Sequence, residues 1–204
     1  MTDAAGLVGL REPEETRSRM RDRDGVEMDL VTHDLRKFVR LMLRRNGYVL
    51  EQLLSPLVVH TTDAHRELAA LVPGVLTSHH ADHYRGFAGT QWRLFEKTGQ
   101  LKPLLYTFRV LLTGIHLMRA GEVQPHLPTL LGEVDAVLAY LPELIAAKAE
   151  REHGDAVVDH ARVRGDVERL HGVLDEAQGA SVLPGAPTAY DALHDFVVRT
   201  RLER

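Results

Sequence analysis

Apolar residues recur along the chain with two different periods, and the change of period divides the sequence. In VEMDLV, Val26 to Val31, apolar and polar positions alternate, the pattern of a half-buried strand. From Leu35 the spacing becomes helical: Leu35, Phe38, Val39, Met42 and Leu43 share a stripe, while Arg36, Lys37, Arg40, Arg44 and Arg45 fill the other positions. Asn46-Gly47 reads as a stop for that helix, YVLEQLLS as a second short helix and PLVVH as a second short strand. From Asp63 onward the pattern is helical throughout. DAHRELAALVPG stops at Pro73-Gly74, and TSHHADHYRGFAGTQWRLFEKTGQ starts with Thr77 or Ser78 as N-cap. The apolar run Leu101 to Ala120, closed by Gly121, suits a central buried position. LPTLLGEVDAVLAYLPELIAAKAEREHG predicts one long helix kinked at Pro142. DVERLHGVLDEAQGA and AYDALHDFVVRTRLER, separated by SVLPGAPT, give the last two helices. Residues 1–25 read as a charge-dense loop closed by an Asp24-Gly25 turn. The predicted fold class is α+β, predominantly α, with a strand-bearing front at 1–62 and a helical body at 63–204.

Composition narrows the class. A chain of 204 residues with 44% hydrophobic content can bury a core without covalent staples, and its lack of cysteine excludes disulfides, thiolate nucleophiles and cysteine zinc sites. A formal net charge of −4 argues against a general nucleic-acid coat but leaves room for a local basic patch. The first 25 residues lack the basic-then-apolar pattern of a signal peptide, and no run approaches the ~18 apolar residues of a membrane span. The expected location is the cytoplasm, with no membrane partner.

Four groups of residues carry candidate chemistry. Glu27 and Asp29 point to the same side of a strand, where they either face one metal ion or simply face solvent. His79 and His83 in HHADH lie one helical turn apart, a spacing that holds zinc, but further ligands and an HExxH are absent, so no zinc is expected. Lys102, Tyr106 and Arg109 stack a cation, a phenol and a guanidinium on one face of an apolar helix. Such a row either meets phosphates or is a set of snorkelling side chains on a core helix. Arg36, Lys37 and Arg40 form a basic face, open to nucleic acid or merely solvated. Phosphate-binding GxxxxGK[ST], GxSxG and GxGxxG motifs are absent.

The stretch EMDLVTHDLRKFVRLMLRRNGYVLEQLLSP resembles the segment of DNA polymerase β-type nucleotidyltransferases in which a strand bearing the third metal-binding carboxylate leads into a helix and an N-x-x-x-x-E-x-L-x-SP turn. It is most similar to the predicted nucleotidyltransferases associated with RNA repair. HYRGFAGTQW, LKPLLYTFRVLLTGIHLM and the tail LDEAQGAS with LPGAPTAYDALHDFVV follow in the same order, so the resemblance runs over roughly residues 24–200. It implies that Asp29 is a catalytic, metal-binding carboxylate with Glu27 beside it, and that Lys102, Tyr106 and Arg109 meet the phosphates of a nucleoside triphosphate. It also implies Mg2+ as cofactor, transfer of a nucleotide to an acceptor such as an RNA end, a partial nucleotidyltransferase domain at 1–62 and a substrate-binding helical domain at 63–204. In the superfamily two ions held by three carboxylates activate the attacking hydroxyl and stabilise charge at the α-phosphorus. The family's G-S-x-x-x-G and its separate D-x-D strand are not read ahead of Asp29. The expectation is therefore a member without its N-terminal catalytic half, inactive alone. The alternative is a non-catalytic helical module, derived from such an enzyme, that binds RNA or a protein.

Overall fold

A computed structural model describes residues 14–133, 138–150 and 154–202. It opens with two antiparallel strands, β1 (Thr16–Arg23) and β2 (Val26–His33), in a register that sets Thr16 opposite His33 and Arg23 opposite Val26. Asp24 and Gly25 link them with φ of 56° and 78°, the doubly positive turn whose twist matches that of the strands. The Asp22 carboxylate accepts the Gly25 N–H at 3.2 Å and braces the turn. Residues 16–23, expected as loop, are thus a strand. TRSRMRDR carries no apolar alternation, and its pairing comes from β2 through the Asp-Gly turn.

α1 (Leu35–Leu43) starts at Asp34, whose carboxylate accepts the N–H groups of Arg36 and Lys37. The chain leaves this helix through Arg45 at φ 63°. Asn46-Gly47, expected to stop α1, instead starts α2 (Gly47–Leu53), with the Asn46 side chain accepting the Tyr48 N–H at 3.1 Å. PLVVH forms no strand. Leu57 and Val59 are 84% and 101% exposed, with no strand beside them among the described residues. α3 (Asp63–Ala70) and a single 3-10 turn at Val72–Gly74 follow.

The body is α4 (His80–Thr98), α5 (Leu101–Ala120), α6 (Leu127–Glu133), α7 (Leu141–Glu150), α8 (His160–Ala180) and α9 (Tyr190–Leu202). The one kinked helix expected from Leu127 to Gly154 is two. Pro142 sits in the first turn of α7, where its missing N–H costs nothing, rather than at a kink; residues 134–137 and 151–153 of that stretch lie outside the described ones. α5 is the central element, packed between α4 and α8 with α6 and α7 against it, and Leu104, Phe108, Leu111, Leu112 and Ile115 have no exposed surface. Close approach of α4 and α5 needs Gly114: a Cβ there would lie 2.9 Å from the Tyr84 Cβ. Arg85 ties α4 to α8 through Asp175 at 2.6 Å and Gln178 at 2.8 Å. α9 returns to α1, where Arg201 meets Asp34 in an ion pair with both side chains 13% exposed. No helix among the described residues is long and apolar enough to cross a membrane.

Candidate functional site

Side chains of opposed residues in an antiparallel pair share a face, so the register of β1 and β2 gives the hairpin two faces of opposite character. Glu27 stands opposite Asp22 and Asp29 opposite Met20, which gathers three acids on one face. Arg17, Arg19, Arg21 and Arg23 occupy the other, opposite Thr32, Leu30, Met28 and Val26. Every residue from Arg17 to Thr32 is exposed. Glu27 and Asp29 do share a side, as the alternation in VEMDLV predicts.

The acidic face offers an incomplete donor set for magnesium. Asp22 is engaged with the turn N–H of Gly25, and among the described residues no three His, Asp or Glu side chains are gathered as a metal site. The literal D-x-D at Asp22-Arg23-Asp24 does not supply the missing pair, because Asp24 lies in the turn with positive φ rather than beside Asp22 on a strand. Two carboxylates on one strand face do not fit a two-ion centre by themselves.

The row on α5 is built differently. Lys102 is exposed, whereas Arg109 is held: its Nη1 donates to Glu51 Oε2 at 2.6 Å, with the two side chains 18% and 10% exposed. The Arg109 guanidinium also lies over the Tyr106 ring, 4.9 Å from its centroid. Glu51 comes from α2, so this ion pair pins the second helix of the front region to the central helix of the body. Tyr84 of α4 closes the group. Its ring has no exposed surface and its hydroxyl lies beside Glu51 without a hydrogen bond of normal geometry. Burial first, then the Glu51 carboxylate, push the phenol well above its ordinary value. Gly47 makes room for the phenol, since a Cβ there would come within 2.7 Å of the Tyr84 ring and hydroxyl. Glu51 and Tyr84 carried no chemistry in the sequence reading, although both lie in the quoted motifs NGYVLEQLLSP and HYRGFAGTQW.

The histidines of HHADH separate. His79 is half-buried beside Asp82, 3.7 Å from its carboxylate, whereas His80 is fully buried and His83 faces inward with an unpartnered Nε2. The His80 Nδ1 accepts the Thr77 N–H at 3.1 Å, and burial brings its pKa down to about 4, with His83, Arg45 and His79 adding smaller pushes the same way. Burial also lowers His83.

The structure thus brings Tyr106 and Arg109 together with Glu51 and Tyr84, and Glu27 and Asp29 together with Asp22. It does not bring these two groups to each other. Among the described residues the hairpin is fastened at its base, where the Asp34 N–H donates to the Glu15 carbonyl at 2.9 Å, Arg40 pairs with Glu15 at 3.4 Å and the Lys37 ammonium meets Thr16. Arg36 and Arg40, from the predicted basic face, line a groove of about 500 Å³ between α1 and α9, with Val39, Leu43, Val197 and Arg201.

Comparison with known proteins agrees with the motifs. Over 96 residues the chain is 30% identical to the uncharacterized protein MJ0002 of Methanocaldococcus jannaschii. That match covers 46% of this chain and 40% of the relative, so the chain spans well under half the length of the curated protein it matches. No solved structure matches it significantly. The family model of the RNA repair pathway DNA polymerase beta family matches residues 3–199, nearly the whole chain, and the protein belongs to that family.

Proposed function

We propose that this chain handles the substrates of a cytoplasmic nucleotidyltransferase that moves a nucleotide from a nucleoside triphosphate to an RNA end. The observation that supports this most is the shared open face of Glu27 and Asp29 on β2, directly ahead of the basic helix α1, in a chain whose family is named for RNA repair. In this reading Asp29, with Glu27 beside it, contributes carboxylate oxygens to magnesium. Lys102 gives a point charge to the triphosphate, and Arg109, anchored by Glu51, holds Tyr106 beside it, although this helix and the acidic face of the hairpin do not meet in this structure. The described acids are too few for both ions, so the chain by itself is inactive in transfer and gains activity only when further carboxylates are supplied.

The incomplete donor set favours a second reading, a non-catalytic module that binds RNA or a protein. One experiment separates the two. The purified chain is titrated with a fluorescent nucleoside triphosphate with and without Mg2+, then incubated with labelled triphosphate and RNA. The first reading expects magnesium-dependent binding that falls at least tenfold in Asp29→Asn and severalfold in Lys102→Ala, without incorporation. Absence of any triphosphate binding overturns it in favour of the second. Robust incorporation by the chain alone refutes the stated inactivity.

A further inference from the structure

The alternation of charge in β1 was not used by the site described above. Arg17, Arg19, Arg21 and Arg23 recur every second residue, so all four project from one face, about 6.6 Å apart along the strand at the usual rise of roughly 3.3 Å per residue. That repeat is close to the spacing of successive phosphates in an extended nucleic-acid strand. Arg17 and Arg23 are 76% and 82% exposed in loose pairs with Glu14 and Asp24, and Arg19 and Arg21 have no ion pair among the described residues.

A row of surface arginines often only covers apolar neighbours with its stems. Here that cover is partial. On the same face Val26 remains 61%, Met28 42% and Leu30 58% exposed, leaving an apolar rail beside the cationic one. The strand acids Asp22, Glu27 and Asp29 lie on the opposite side, while Glu14 and Asp24, at the base and the turn, meet only the two end arginines. In a chain of net charge −4, this face concentrates positive charge, and at its centre Arg19 and Arg21 have no strand carboxylate on the same sheet surface.

We propose that the arginine face of the hairpin is a track for single-stranded RNA, with successive phosphates on Arg17 to Arg23 and the bases resting on Val26, Met28 and Leu30. The choice of RNA over other extended polyanions rests on the functional reading given above. The geometry of the track does not. An extended strand fits because the arginine repeat follows one backbone in a line, and because the apolar rail needs unpaired bases with open faces to cover it. The contacts are to phosphate and to base faces, so the track holds RNA without selecting its sequence.

The test is binding of a short fluorescent single-stranded RNA by the whole chain, without nucleoside triphosphate or Mg2+, over a range of salt. Arg19→Ser combined with Arg21→Ser is expected to weaken binding at least tenfold at low salt. At ~0.7 per phosphate contact on a single strand, losing two contacts reduces the slope of log K against log salt by about 1.4. Arg93→Ala combined with Lys97→Ala, on exposed α4 positions, removes the same charge elsewhere and leaves affinity within twofold. Equal losses from both pairs would mean diffuse attraction and overturn the track, as would tighter binding of a duplex than of the single strand. If the β1 pair leaves RNA affinity unchanged but alters self-association by sedimentation, the face belongs to a protein partner and the proposal falls. Triphosphate binding by the β1 variant is expected to be unchanged. A chain that binds no triphosphate yet still loses RNA through this pair would retain the track and lose the transferase reading.

Discussion

The hairpin and the helical body solve opposite problems. In the body, α5 is surrounded on nearly every side, and its two buried threonine hydroxyls are satisfied locally: that of Thr107 donates to the Pro103 carbonyl at 3.0 Å, and that of Thr113 to the Arg109 carbonyl at 2.8 Å. In the hairpin Met20, Val26, Met28, Leu30 and Val31 are all between 42% and 68% exposed. A two-stranded ribbon is marginal in water without a third strand or a helix over its face, and this one is held by its turn and its base. Among the described residues the body therefore holds the buried apolar core, and the hairpin contributes little to it.

The largest effect that bears on this contrast is a pair of truncations. Phe108→Ala, in the centre of α5, is expected to lower unfolding free energy by about 4 kcal/mol, whereas Leu30→Ser on the hairpin changes it by less than about 0.5 kcal/mol. Urea denaturation of the two variants checks it, and comparable losses would make the hairpin part of the core. Glu51→Ala comes next. It strands the Arg109 charge between α2 and α5, and a cost of about 3 kcal/mol is expected for a broken, largely buried pair. Unchanged stability together with tighter triphosphate binding would instead free Arg109 as a phosphate ligand, moving that residue from the structural side of the comparison to the functional one.

Acid should act on the body. His80 is neutral when folded down to about pH 4 but takes up a proton near 6.5 when unfolded, so between those values the unfolded chain binds more protons. The stability that follows is fully present above pH 6.5 and is lost as pH falls toward 4, by about 2–3 kcal/mol at one unit of pKa per 1.36 kcal/mol. The lowered His83 and His171 act in the same direction. Denaturation midpoints measured from pH 7.5 to 4.5 should fall steadily, and His80→Gln should flatten the curve; a flat profile in the unmodified chain would refute the buried neutral state.

Helical elements with a strong apolar stripe were legible in the sequence: α1, α4, α5, α8 and α9 follow the spacing of their apolar residues. What escaped was set by partners rather than by local pattern. β1 exists because β2 pairs with it, and its own signal was a period-two repeat of arginine, which a search for alternating apolar residues passes over. PLVVH has strand composition but no neighbour, so propensity lost to the absence of a ladder. Asn46-Gly47 has the composition of a helix end, yet the first helix already ends at Leu43 and turns out through Arg45, and the Asn46 side chain caps the next one. The alternation of VEMDLV puts Asp29 on a strand and the apolar run from Leu101 puts Arg109 on a helix, where both lie. The Glu51 contact, across 58 residues of sequence, was beyond any spacing rule.

The smallest expected effect is also the most direct probe of the contrast, because it leaves the global fold untouched. Hydrogen exchange should open the hairpin in a graded way. The Asp34 N–H, bonded to Glu15 at the base, and the amides near Thr16 and His33, where the Thr16 hydroxyl meets the His33 ring at 3.0 Å, are held by α1 and should exchange slowest. Toward Arg23 and Val26 the ladder has only its own bonds and the Asp-Gly turn, so protection should fade there to that of a locally opening ribbon. The α5 amides should exchange only through global unfolding, several orders of magnitude more slowly. The exchange rates thus rank the two regions within one molecule. Hairpin amides as slow as those of Leu111 would mean that the two strands share the cooperativity of the body. Amides that are fast in the free chain and slow once single-stranded RNA is added would show that the hairpin acquires its missing cover from the ligand, which is the outcome expected if the arginine face is a track.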